Sequence, residues 1–151
     1  MKTLIVDDEP IARRVLREEL ELLSGVQVVG EADNGKSALI EIERLRPDLV
    51  FLDLQMPVMS GFEVARNLAG KAAPAIIIVT AFDQHAIQAF EAGAVDYLLK
   101  PVQDARLRKA VERAQVLYNR PLEIANQVAK ITSAGEPRRS ASRPGTRSRR
   151  R

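Results

Sequence analysis

The sequence has no cysteine and a single histidine, His85, in 151 residues. Without cysteine there is no disulfide and no thiolate metal site, and a reducing cytoplasm is the simplest setting. One histidine with no second histidine or cysteine does not make a zinc site. We therefore expect a surface or capping role for His85, at the start of a predicted helix.

Long apolar runs are also missing. The longest, residues 75–79, has the length of a buried strand and falls far short of a membrane span. At the amino terminus only residues 3–6 precede two aspartates, which is much shorter than the apolar region of a signal peptide. These absences predict a cytoplasmic protein with no membrane association.

The charge of the chain is unevenly distributed. The formal net charge is +3, but seven arginines against one glutamate give residues 136–151 a charge of +6, which leaves −3 for residues 1–135. From about residue 133 onward the chain has almost no apolar side chains, so it cannot bury enough surface to fold. We expect a solvated basic linker or tail; nucleic-acid binding through counterion release is the alternative.

Short apolar runs alternate with amphipathic segments along the rest of the chain. The runs lie at residues 3–6, 27–30, 49–52, 75–79 and 95–98, and most are continuous, as in strands buried on both faces. Apolar stripes with helical spacing lie between or after them: Ala12, Leu16, Leu20 and Leu23; Ala38, Ile42 and Leu45; Leu107, Val111, Ala114 and Tyr118. This alternation predicts an α/β fold with a doubly wound, five-stranded parallel sheet.

The length allows one ordinary domain, which we place at residues 1–118. After Tyr118 the helical pattern weakens. Pro121 suits the first turn of a further short helix, so residues 119–132 are a possible helical extension. Residues 133–151 form the predicted linker or tail.

Chemically active side chains follow four of the predicted strands: Asp7 and Asp8, Asp53, Thr80, and Lys100. In a doubly wound sheet the carboxyl ends of the strands meet beside one crevice, so these groups are expected together. Neighbouring carboxylates ionise together only with a cation, and oxygen ligands without His or Cys favour Mg²⁺. A carboxylate beside such an ion can act as a nucleophile toward a phosphoryl group.

Four segments carry a family resemblance: LIVDDEP (4–10), PDLVFLDLQMPVMSG (47–61), IVTA (78–81) and DYLLKPV (96–102). In this order and spacing they resemble the receiver domain of two-component response regulators, over about residues 2–118. The resemblance implies a flavodoxin-like (CheY-like) sheet of strand order 2-1-3-4-5. It also implies that Asp53 accepts a phosphoryl group from a sensor histidine kinase.

The same resemblance implies roles for the neighbouring residues. Asp8 would bind Mg²⁺ directly, Asp7 largely through water, and Gln55 through its backbone carbonyl, beside Asp53.

Further roles follow at the other two strand ends. Thr80 and Lys100 would contact the phosphoryl group, and Tyr97 would rotate as Thr80 moves. The Lys100–Pro101 peptide bond would be cis.

A finer resemblance concerns residues 80–102, TAFDQHAIQAFEAGAVDYLLKPV, which look like receivers attached to LytTR-type DNA-binding domains. It implies that phosphorylation promotes a homodimer and controls transcription through an effector domain beyond Arg151. The alternative is a stand-alone receiver that acts through a protein partner.

Two other function classes are less well supported. An aspartyl-nucleophile phosphatase generally needs a second acid two residues beyond the nucleophile, where this chain has Gln55. A nucleotide-binding module needs a glycine-rich phosphate loop after the first strand, where this chain has Asp-Asp-Glu-Pro. We therefore expect a phosphoacceptor switch and not an enzyme, with at most Mg²⁺-dependent self-phosphorylation and autodephosphorylation.

Overall fold

The computed structural model describes residues 1–68, 73–84 and 86–134, with only the backbone described from residue 120. In these residues five strands alternate with five helices. The strands are β1 (Lys2–Val6), β2 (Gln27–Ala32), β3 (Leu49–Leu52), β4 (Ala75–Thr80) and β5 (Asp96–Leu99). The helices are α1 (Pro10–Glu21), α2 (Gly35–Leu45), α3 (Gly61–Leu68), α4 (Ala86–Glu91) and α5 (Asp104–Ala134).

The strands form one parallel sheet in the order β2-β1-β3-β4-β5. This confirms the predicted fold and strand order. The last residue of β1, Val6, pairs with Ala32 on one side and with Leu52 on the other. Because the central strands end at the same level, the residues that follow them are brought to one edge.

The two faces of the sheet carry two separate apolar clusters, because successive side chains of a strand point to opposite faces. One cluster includes Leu4, Val6, Val50, Leu52, Ile76 and Ile78, covered by residues of α2, α3 and α4. The other includes Ile5, Leu49, Phe51, Ile77 and Val79, covered by Leu20 of α1 and by residues of α5. The helices therefore lie on both faces, as the near-continuous apolar strands predict.

The chain divides into two compact units, Met1–Val116 and Leu117–Arg151. The predicted helical extension lies within α5, and Pro121 is inside this helix and not at the first turn of a separate one. Good helix formers on both sides, such as Leu117 before it and Leu122 and Glu123 after it, favour helical backbone around the proline.

The third apolar stripe is buried only in part. Its first three members, Leu107, Val111 and Ala114, are buried, whereas Tyr118 is half exposed. Among these four residues, the buried part of the stripe therefore ends at Ala114.

The structure bears differently on the expectations for His85, for the basic tail and for membrane association. His85 lies outside the described residues, as do residues 135–151 of the predicted basic linker or tail at 133–151. Its first two residues, Ser133 and Ala134, belong to α5. Within the described residues, none of the helices is both long enough and apolar enough to span a bilayer.

Candidate functional site

The backbone hydrogen bonds of the sheet continue past the strand ends and hold the polar residues there. The Asp53 N–H donates to the carbonyl of Val6 at 3.0 Å, and the Lys100 N–H donates to the carbonyl of Thr80 at 2.8 Å. Residues from β1, β3, β4 and β5 thus meet at one edge of the sheet. This is the crevice that the strand-end argument predicts.

Three carboxylates converge in this crevice. Asp7, Asp8 and Asp53 each offer one oxygen, and these three oxygens lie within 4.8 Å of one another. Asp7 and Asp53 are buried, and Asp8 is exposed. A cleft of about 530 Å³ opens beside Asp8 and is lined further by Gln55 and Phe62, among others. The three acids are therefore close together, and Asp8 is the one that faces the cleft.

Within the described residues, the ammonium of Lys100 is the positive charge that contacts these carboxylates. Its ammonium donates to Asp7 at 2.7 Å, to Asp53 at 3.1 Å and to Glu9 at 3.3 Å. Burial by itself would lower the pKa of Lys100, but the hydrogen bonds and charges of Asp7 and Asp53 outweigh it, and the pKa lies above its ordinary value. The side chain is therefore fully charged at neutral pH.

Asp53 has a raised pKa in spite of that partner. Burial is the largest cause, and the negative charge of Asp7 adds to it. The Gln55 N–H, which donates to Asp53 at 3.1 Å, and the Lys100 ammonium oppose the shift without cancelling it. One lysine thus does not neutralise the clustered carboxylates.

The donor set fits a hard divalent cation. Three carboxylate oxygens converge, and the sequence has no cysteine that could offer a thiolate ligand. The crowding of the acids favours an added positive charge. Carboxylates with open access to water suit Mg²⁺, which keeps several water ligands.

Thr80 also lies at this edge, and Tyr97 of β5 reaches the loop after it with its hydroxyl. Thr80 is fully buried, and within the part of the chain that the structure describes its hydroxyl has no hydrogen-bond partner. The Tyr97 hydroxyl donates a hydrogen bond to the backbone carbonyl of Phe82, in the loop that follows Thr80. The Lys100–Pro101 peptide bond is cis, as the resemblance implies.

Some contacts at the site were not predicted from the sequence. Glu9 shares Lys100, and Arg13 donates to the backbone carbonyl of Asp7 at 2.6 Å. At Gly61 a Cβ atom would collide with the backbone of Asp53 and Leu54, so α3 begins against the strand end only because this residue is glycine. Gly61 is the last residue of the segment 47–61 that carries the family resemblance, whereas no sequence pattern indicates the contact of Arg13.

A second charged cluster, also not predicted, lies at the other end of β5. The Asp96 side chain is 2% exposed and accepts hydrogen bonds from both terminal nitrogens of Arg106, at 2.9 and 2.5 Å. Arg113 lies 3.5 Å from the same carboxylate. Burial alone would raise the pKa of Asp96, but Arg106, the Tyr97 N–H and Arg113 outweigh it and lower the pKa.

The sequence matches the family model described as the response regulator receiver domain over residues 3–112. It is 49% identical over 113 residues to the transcriptional regulatory protein BtsR of Escherichia coli, a match that covers 75% of this chain and 47% of that protein. A response regulatory protein of Vibrio cholerae is 47% identical over 113 residues, which is 75% of this chain and 48% of that protein. The match thus spans about half the length of these relatives.

Solved structures of the same fold include the response regulatory domain of mrkE from Klebsiella pneumoniae. It has a TM-score of 0.74 and 33% identity, and the match covers 80% of this chain and 99% of that one. The CheX–CheY–BeF3–Mg²⁺ complex from Borrelia burgdorferi has a TM-score of 0.68 and 26% identity, with 74% and 86% covered.

Proposed function

The chain belongs to the response-regulator receiver family, and from this premise we propose that Asp53 accepts a phosphoryl group beside a bound Mg²⁺ ion. The observation that carries the proposal is the convergence of three carboxylate oxygens within 4.8 Å. The raised pKa of Asp53 supports it, because an acid that is crowded in this way gains from an added cation.

We propose that Asp8 binds Mg²⁺ directly, Asp7 largely through water, and that Asp53 and the backbone carbonyl of Gln55 complete the protein ligands. When bound, the ion neutralises charge on the incoming phosphoryl group. The similar Borrelia protein was solved with BeF3 and Mg²⁺, which supports this choice of ion.

The phosphoryl donor in this proposal is a phosphohistidine of a sensor kinase. A carboxylate oxygen of Asp53 forms a bond to phosphorus, the P–N bond to the donor histidine breaks, and the leaving imidazole nitrogen takes up a proton. Lys100, already within 3.1 Å of Asp53, supplies positive charge beside the new phosphoryl group. The product is an acyl phosphate with about −1.5 to −2 charges at the crevice.

Thr80 and Tyr97 are the residues that we propose read this change. The Thr80 hydroxyl is buried with no partner among the described residues, so a phosphoryl oxygen would give it one. The Tyr97 hydroxyl donates to the carbonyl of Phe82, in the loop just beyond Thr80. A shift of that loop therefore breaks this hydrogen bond and lets the Tyr97 side chain rotate.

The output of the switch is proposed to be transcriptional. BtsR is named a transcriptional regulatory protein, and a LytTR-type DNA-binding domain beyond Arg151 would account for the half of the relatives that this chain does not match. The exposed side chains of Ile87, Phe90 and Leu99 offer an apolar surface on α4 and β5 for a homodimer. A cytoplasmic location next to its kinase belongs to the same proposal.

The proposal is tested by labelling Asp53. The wild type, incubated with a small-molecule phosphodonor and Mg²⁺, is expected to gain one phosphoryl group per chain, read by intact-protein mass spectrometry. Asp53→Asn is expected to gain none, and the exposed acid variant Asp33→Asn is the matched control that labels normally. Labelling of Asp53→Asn at the wild-type level would refute the assignment.

The same sample separates the switch from a phosphatase. With a phosphomonoester in large excess, the receiver is expected to show no multiple turnover, because Gln55 replaces the acid that a leaving group needs. Sustained release of inorganic phosphate would favour the phosphatase instead.

A further inference from the structure

The loop between β1 and α1 carries two of the three acids of the crevice, yet the helix does not hold it through a capping side chain. The residue before the helix, Glu9, makes no side-chain capping hydrogen bond, and proline occupies the first helical position. Capping normally fixes the entry of the chain into a helix. The position of Asp7 therefore depends on other contacts.

Arg13 supplies such a contact. Its Nη1 donates to the backbone carbonyl of Asp7 at 2.6 Å, while its Nε donates to Glu31 of β2 at 3.0 Å. The side chain is only 18% exposed. One guanidinium thus links the strand that neighbours β1 to the peptide unit that carries the buried acid.

Arg17, one turn further along α1, provides a natural comparison. It pairs with the same carboxylate, Glu31, at 2.7 Å, and its second acidic contact is Glu21 at 3.5 Å. Burial alone would raise the pKa of Glu31, but the two arginines outweigh it and lower the pKa, so this carboxylate is charged at neutral pH. Both arginines hold α1 to β2, and of the two, Arg13 also donates a hydrogen bond to the backbone of Asp7.

We propose that Arg13 is a positioning residue for the metal site: it orients the Asp7 peptide so that the carboxylate faces Asp8 and Asp53. This inference rests on the Mg²⁺ site of the proposed function. The Asp7 carboxylate is held in turn by Lys100 and by the Glu9 N–H, at 2.7 and 2.9 Å. Groups that orient metal ligands typically affect metal affinity about 10–100-fold when they are removed.

The direction of the change in Mg²⁺ affinity distinguishes a positioning role of Arg13 from the effect of its positive charge. Removing a positive charge near a cation site strengthens cation binding through simple electrostatics. Loss of positioning weakens it. Arg13→Met is therefore expected to weaken Mg²⁺ binding in isothermal titration calorimetry about tenfold, whereas Arg17→Met leaves binding unchanged or slightly tighter.

A second measurement needs no metal. In the metal-free protein the amide of Glu9 donates to Asp7, so its hydrogen exchange, followed by NMR, reports the order of this loop. Exchange at Glu9 is expected to accelerate at least several-fold in Arg13→Met and to stay at the wild-type rate in Arg17→Met. Arg13→Lys keeps the charge but cannot bond both partners as the planar guanidinium does. Its Glu9 exchange rate is therefore expected to lie between those of Arg13→Met and the wild type, and this variant replaces Arg13→Met if the latter does not fold.

The outcomes are distinguishable. If the wild type binds Mg²⁺ and Arg13→Met and Arg17→Met bind it equally well, the inference about Arg13 is wrong. The same holds if Glu9 exchange is unaffected in Arg13→Met and Arg13→Lys. If the wild type itself binds no Mg²⁺, the proposed function fails, and the metal-free exchange still decides whether Arg13 orders the loop.

Discussion

Two charged clusters lie at opposite ends of β5, and their balance of charge is reversed. In the crevice, the carboxylates of Asp7, Asp53 and Glu9 share one ammonium, that of Lys100. The Asp8 carboxylate converges on the other two aspartates, and the pKa of Asp53 is raised. At the start of the strand, two guanidiniums surround one carboxylate, that of Asp96, whose pKa is lowered. Only three residues, 97–99, separate Asp96 of the cation-rich cluster from Lys100 of the acid-rich one.

The contrast separates two uses of buried charge. The Asp96 cluster has its hydrogen bonds made within the chain, so it ties α5 to the sheet. The crevice leaves acids crowded and a buried hydroxyl, Thr80, without a partner among the described residues. Perturbed ionisation of this kind is typical of functional sites. The first cluster is complete by itself, and the second gains from a cation and a phosphoryl group.

The largest expected change in stability follows from breaking the completed cluster. Arg106→Met leaves the buried carboxylate of Asp96 with the Tyr97 N–H at 2.8 Å and the longer contact to Arg113. We therefore expect a loss of about 2 kcal/mol in the free energy of unfolding at pH 7, discounted for the half-exposed arginine. Chemical denaturation measures it. Because the folded-state pKa of Asp96 is lowered, the difference from wild type shrinks as the pH falls below about 4.

The matched control for this change is Arg108→Met, an exposed position on the same helix. It is expected to alter stability by less than about 0.5 kcal/mol. Equal losses in the two variants would mean that the pair with Asp96 contributes nothing beyond the helix itself.

The crevice is expected to respond in the opposite direction. In metal-free buffer at pH 7, Asp53→Asn removes a buried charge that the fold disfavours, so we expect a gain of about 1 kcal/mol. Because the pKa of Asp53 is raised, the folded wild type loses stability as the pH rises through the range between the ordinary and the raised value. The gain of the variant therefore appears from about pH 4 upward. Thermal unfolding at several pH values, with Asp33→Asn beside it, checks this; a destabilised Asp53→Asn would contradict it.

The smallest effect is expected at the rim of the crevice. The Glu9 side chain is 67% exposed and lies 3.3 Å from Lys100. Exposed pairs contribute little, so Glu9→Gln should change the free energy of unfolding by less than about 0.5 kcal/mol. A larger loss in a denaturant titration would show that Lys100 depends on Glu9 as much as on the buried acids.

The sequence predicted the crevice more fully than the second cluster, for a physical reason. Asp7, Asp53, Thr80 and Lys100 each end or follow a strand, and a parallel sheet brings such positions together whatever the helices do. The five-stranded order and the family are confirmed. The individual roles of these residues in phosphorylation stay predictions.

The cluster around Asp96 depends on how α5 lies on the sheet, which no strand-end rule describes. Arg106 and Arg113 are seven residues apart and so share a helix face, but charged residues on a helix are usually solvated, and this spacing alone names no partner. Pro121 shows a related failure, since local propensity placed a helix start where the surrounding residues continue α5.

The most direct test of the contrast is the dependence of thermal stability on Mg²⁺. For the wild type we expect stabilisation that reaches about 2.7 kcal/mol when Mg²⁺ is a hundredfold above its dissociation constant. Arg106→Met is expected to keep this gain, because its cluster does not bind the ion, and Asp8→Asn is expected to lose most of it. A wild type whose unfolding is indifferent to Mg²⁺, or an Asp8→Asn variant that is stabilised as much as the wild type, would contradict the assignment of the crevice as a metal-dependent phosphoacceptor site.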